Sequence, residues 1–174
     1  GELSGARPLH YPTDVQPVWD KYCVKCHSGS EPKGELDLSG KMTTHFNTSY
    51  ESLMPGNSKR GRHLLGPIIG ENHPKTGNVE YLPAKSLGSH TSVLAAMLSG
   101  GKVHLNNPGD AQRASTLAEK HKEIHLSGEE LLRVTTWIEA NGQYYGSYYG
   151  KRNIKYRADS DFRPVPTLQQ AACQ

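Results

Sequence analysis

Cys23, Val24, Lys25, Cys26 and His27 spell C-x-x-C-H, and no other feature constrains the chain so strongly. On one helical turn, residues three apart share a side. Two thiols so spaced can address one flat partner, and the next residue can turn an imidazole over its plane. This is the attachment pattern of a c-type haem, with thioethers at Cys23 and Cys26 and iron ligation at His27. The competing readings are weaker. A structural zinc site needs four ligands at suitable spacing, and the only other cysteine is Cys173, far downstream. A thioredoxin-like redox pair sits in a βαβ context, of which the sequence carries no sign. One covalent haem c is therefore the expected cofactor, and redox chemistry at its iron the expected activity.

Composition agrees with a fold built around such a group. Of 174 residues only 34% are apolar, while Gly 18 and Pro 11 are high. A chain this polar builds a thin core unaided, and a buried porphyrin supplies the missing apolar surface. The formal charge of +3 is mild and its basic residues are dispersed, which argues against nucleic acid. No stretch approaches a membrane span and no signal peptide is visible. Because c-type haem is attached outside the bacterial cytoplasm, the chain reads as a mature or excised piece of an exported protein, periplasmic or extracellular. Its opening residues resemble a linker.

The expected architecture is mainly α: a cytochrome c-like helical domain around one haem, with long loop insertions and an extended C-terminal strap. Residues 1–12 read as an extended lead-in, 13–150 as the domain and 151–174 as an extension or linker. Thr13 or Asp14 can cap a first helix over residues 15–26. Its apolar positions Val15, Val18, Trp19, Tyr22, Cys23 and Cys26 fall on one face, so the packing face is also the haem face. Residues 29–91 are rich in Gly, Pro, Asn and Ser. Within them residues 49–53 suggest a helical turn, and 55–83 a long loop wrapping the haem edge. Ser89 or Ser92 can cap a second helix that Gly100 and Gly101 end. Residues 111–120 suggest another. Ser127 and Glu130 form a capping box opening a helix to about Ala140, with Leu131, Val134, Trp137 and Ile138 in one stripe. Tyr144, Tyr145, Tyr148 and Tyr149 either pack back on the domain or cover a haem edge, the former being favoured. Trp137 is expected in the core.

The residues leave the sixth iron ligand open. Met97 lies on an apolar helix, where core packing is the simpler role. Met54, before Pro55 and Gly56, stands in a loop, and Met42 is a third thioether. The nine histidines exceed what a haem needs; His104 and His125 are candidates among them. Arg60, Arg62, Arg113 and the tyrosines are available to the haem propionates.

Several stretches in order, VQPVWDKYCVKCH at 15–27, LDLSG at 36–40, GSHTSVL at 88–94, LSGEE at 126–130, WIEAN at 137–141 and YYG at 144–146, resemble a known group. They are similar to monohaem cytochrome c domains like the C-terminal haem domain of the hydrazine synthase alpha subunit, a kind found in other large exported bacterial proteins. The resemblance covers roughly residues 12–150. It implies bis-histidine iron, with His27 proximal and His121, five residues before Leu126, distal. It does not transfer hydrazine synthesis, which belongs to other parts of that assembly.

The expected function is an electron-transfer module without catalysis of its own, serving a redox partner protein or a linked redox or catalytic domain. The alternative is a haem enzyme or sensor, peroxidase-like or ligand-binding, with an open or displaceable sixth site. Two imidazoles saturate the iron and set a lower potential than a histidine–methionine pair. Cys173 is left unpaired if both other thiols hold haem.

Overall fold

The structure, a computed structural model, describes residues 9–54, 64–65, 84–101 and 103–145. Among them the protein is mainly helical and has no strand, only an isolated antiparallel bridge between Met42 and Asn47. No helix among them is long and apolar enough to cross a membrane. The long loop over 55–83, apart from Leu64 and Leu65, lies outside the described residues, as do Arg60, Arg62, Tyr148, Tyr149, Cys173 and the extension 151–174.

The expected first helix is two helices. Tyr11–Asp14 (α1) starts with a proline in its first turn, and Gln16–Tyr22 (α2) starts with another, with Val15 as the joint. Proline has no N–H to continue an upstream ladder and is tolerated only in a first turn, so Pro17 restarts the helix where the apolar spacing alone suggests continuity. Helix formation also begins before Thr13. His10 and Tyr11 are fully buried, so the end of the expected lead-in over 1–12 belongs to the packed body. α2 ends at Tyr22, and the chain tightens into a turn in which the Cys26 and His27 N–H groups both donate to the Cys23 carbonyl. The two cysteines therefore do not share a buried helical face: Cys23 is buried, and Cys26 stands exposed in the turn.

Beyond the motif the chain doubles back, the Leu38 N–H donating to the His27 carbonyl at 2.7 Å. Asn47 caps Thr48–Leu53 (α3). Ser92 caps Val93–Leu98 (α4), whose Val93, Leu94, Ala95 and Ala96 are buried, and Gly100 and Gly101 follow it at positive φ. Pro108–Lys120 (α5) starts three residues earlier than its periodicity suggests, because Asn107 accepts from the Gly109 and Asp110 N–H groups and Pro108 fills the first turn. Gly128–Glu139 (α6) opens on the expected capping box. One carboxylate there does three things. Glu130 closes the box on the Ser127 N–H, takes a hydrogen bond from Tyr22, and pairs with the Lys21 ammonium at 2.8 Å. The cap of α6 is thereby tied to the end of α2, beside the C-x-x-C-H turn.

The filled core lies on the α1/α6 side. Trp137 is fully buried against Tyr11, with ring centroids 5.0 Å apart, and its indole N–H donates to the Gln143 carbonyl. Tyr144 packs back on Tyr11, Tyr50 and Phe46. Both rings serve the core, as the sequence suggests.

Candidate functional site

A cavity of about 170 Å³ opens beside α2. Trp19 and Cys23 reach it from the end of α2, His27 from the turn, Leu36 and Leu38 from the returning loop, and Leu94, Met97 and Leu98 from α4. α5 contributes Arg113, Leu117 and His121, spaced four apart, so that one helical stripe forms a wall. Apart from two imidazoles, Lys33 and Arg113, its described side chains are almost all apolar. Apolar side chains turned toward a void forgo both burial and packing contacts. The lining thus suits a hydrophobic occupant.

His27 and His121 meet across this space. Their ring centroids are 6.0 Å apart and their planes lie within 20° of parallel. Nitrogen–metal bonds of about 2.0–2.1 Å on either side of one ion, with the ring radii added, put two opposed imidazole centroids about 6 Å apart. His121 caps the C-terminal end of α5, and its Nδ1 lies 2.8 Å from the Leu117 carbonyl. A carbonyl only accepts, so Nδ1 carries the proton and Nε2 is left with its lone pair for a ligand. Burial holds the His27 pKa below the ordinary histidine value; the Lys33 and Leu36 backbone opposes this, and the charges of His121 and Lys33 add to it. A neutral imidazole is the form a metal requires. The His27 Nδ1 is buried without a well-formed hydrogen bond.

Burial pushes the Cys23 thiol up to about 12, with the neighbouring Cys26 adding to the shift. The thiol stays protonated and is a poor free nucleophile. Cys26 does not line the cavity.

Among the described residues no group of three or more His, Cys, Asp or Glu side chains could hold a metal ion. Two opposed imidazoles are too few for a bare ion such as zinc, but they are what a metal needs when a planar macrocycle supplies the other four bonds. The donor set, the apolar walls and the adjacent cysteines therefore fit a haem. At about 170 Å³ the cavity is smaller than a porphyrin, so a haem held by these residues would stand partly outside it.

Of the other candidate ligands, only Met97 lines this cavity. His104 and His125 are exposed and line a separate, wetter cavity of about 660 Å³, which touches neither cysteine nor His27. Met54 packs on the core without lining the apolar cavity, and Met97 forms part of its wall. Trp19, rather than Trp137, is the tryptophan at the site. The spacing of Arg113, Leu117 and His121 is a signal of the site already present in the sequence, but which face of α5 meets the C-x-x-C-H turn shows only in the fold.

No family model, curated protein or solved structure matches this chain.

Proposed function

We propose that this chain is an electron-transfer module of cytochrome c-like fold, carrying one covalent c-type haem held through Cys23 and Cys26 and ligated by His27 and His121. The observation that carries the reading is the pair of opposed imidazoles, 6.0 Å apart across an apolar cavity, one of them belonging to the C-x-x-C-H motif. The resemblance to monohaem cytochrome domains supports the same ligand pair.

When bound, the haem supplies a one-electron ferric/ferrous couple. The chain's own residues bind and orient. His27 offers a neutral nitrogen from the turn that also carries the cysteines. His121 is held in one tautomer by the Leu117 carbonyl. Leu36, Leu38, Leu94 and Leu117 line the cavity and would shield the group from water. His27 and His121 together would leave the iron no free site for a substrate, and such a module would pass electrons to a redox partner or linked domain. Haem c attachment makes that setting periplasmic or extracellular in a bacterium.

The test is production with haem c maturation factors, followed by spectroscopy. The expected protein has covalent haem, low-spin spectra in both redox states, and no response to CO or cyanide. His121→Ala should turn the iron high-spin. An unchanged spectrum in that variant removes His121 as the ligand, and a far-red sulfur–iron band in the parent chain assigns a methionine instead.

A second reading, a haem enzyme or small-ligand sensor with a displaceable sixth site, has one observation in its favour. His121 also lines the larger cavity, so a swing of this ring would open the site toward it. Ready CO binding by the reduced parent protein selects that reading.

A further inference from the structure

We propose that Arg113 holds a haem propionate and raises the reduction potential of the iron, an inference that rests on the haem reading above. The cavity is lined by two cationic side chains, Lys33 and Arg113, and among the described lining residues by no carboxylate. Described walls that are apolar in the main, cationic at two points and without a carboxylate fit an occupant that is apolar in body and anionic at its rim. The chemistry of a porphyrin that carries propionates is of this kind.

The position of Arg113 separates it from Lys33. Arg113, Leu117 and His121 follow one another on the stripe of α5 that walls the cavity. Eight residues of helix advance about 12 Å. The axial imidazole and the guanidinium thus mark two ends of one wall, with Leu117 between them. Propionates likewise lie at the rim of the macrocycle, displaced from its centre. α5 is a rigid spacer for this purpose, because the helix that carries Arg113 also supplies the carbonyl that fixes His121. Arg113 is half-buried, whereas Lys33 is exposed. Screening is weaker around the half-buried cation, and a guanidinium can grip a carboxylate with two parallel bonds while never losing its charge. Reduction adds one negative charge to the haem. A fixed cation at its edge compensates the propionate and favours the ferrous form.

The experiment is a spectroelectrochemical titration of the haem-loaded full chain. Arg113→Gln should lower the reduction equilibrium constant about tenfold, a shift of about 59 mV for one electron, while the low-spin spectrum is kept. Arg113→Lys retains the charge and should restore most of the shift. Arg133→Gln is the control, since it removes a cation that pairs with Glu129 on the surface of α6; it should change the constant by less than about twofold. A shift in Arg113→Gln no larger than the control overturns the assignment. Should Arg113→Gln not accumulate with haem, Arg113→Lys carries the test: it should move the propionate bending band in the resonance Raman spectrum, and an unmoved band overturns the contact. Absence of covalent haem from the parent chain overturns the haem reading itself, whereas haem with an unmoved potential overturns the role of Arg113 alone.

Discussion

Trp19 stands between two regions built on opposite terms. On one side its indole N–H donates to the Tyr11 hydroxyl at 2.9 Å, and Tyr11 in turn bonds Ser49 at 2.8 Å. Ser49, Asn47 and Gln16 continue the chain of bonds, with Gln16 also donating to Asp20 and to the Leu38 carbonyl. Tyr50, Trp137, Tyr144 and Phe46 close around it. This region satisfies itself, and burial pushes the Tyr11 and Tyr50 phenols well above their ordinary pKa, keeping them neutral donors. On the other side Trp19 faces the apolar cavity, where leucines and two imidazoles surround a space that the described residues do not fill. The aromatic side is complete with protein atoms alone. Among the described residues the cavity side is left open to an occupant.

The sharpest way to break that contrast is to deny the cavity its occupant. On the haem reading, Cys23→Ser with Cys26→Ser produced without haem should lack the covalent group and keep the cavity empty; about 170 Å³ of unfilled apolar space costs on the order of 4 kcal/mol. Thermal unfolding beside a haemochrome assay measures both losses, and equal stability with and without haem would show that the cavity needs no filling.

Next in size is a perturbation confined to the filled side. Tyr11→Phe strips partners from the Trp19 indole and from Ser49, both buried, at a cost of about 1–3 kcal/mol. A denaturant midpoint should fall accordingly while the haem spectrum stays unchanged; a moved spectrum would mean the two regions are coupled through Trp19.

A smaller loss is expected from the wall that carries His121. Asn107→Ala removes the cap of α5 and should cost about 1 kcal/mol, read from the same denaturation curves with low-spin iron retained.

The smallest effect is acid dependence at the tie between the regions. The Lys21 ammonium, then the Ser127 N–H and the Tyr22 hydroxyl, hold the Glu130 carboxyl down at about 2. A carboxyl depressed in the folded state stabilises above its ordinary value near 4.5 and loses that contribution as pH falls toward about 2. Glu130 keeps 17% of its side chain exposed at the rim, where solvent screens the pair, so the slope should be shallow. Comparing acid unfolding of Glu130→Gln with the parent chain detects it: the variant should lack that part of the slope.

Much of this was legible along the chain because it is local. The Ser127 capping box, the Ser92 cap and the stop at Gly100 and Gly101 need only neighbours a few residues away. The apolar spacing from Val15 onward misled for an equally local reason: it predicts a face, but it does not weigh the missing N–H of Pro17 or the tightening after Tyr22 that turns Cys26 outward. The start of α5 was written in Asn107 and Pro108, a cap followed by a first-turn proline, though the apolar pattern only emerges further along.

By itself the sequence determined the chemistry on offer: two thiols and an imidazole at one turn, a helical composition, and an apolar content too low to fill a core unaided. Which histidine faces His27 was a matter of tertiary structure. Local spacing carries no information about a partner on another helix, and nine histidines leave many pairings open. The resemblance had pointed to His121, but it was the fold that brought α5 beside the C-x-x-C-H turn, set His121 near His27 rather than His104 or His125, and put Arg113 on the same wall. The reason is packing: apolar stripes on α2, α4 and α5 enclose one cavity, and the polar groups at its edge are those that ride on these stripes.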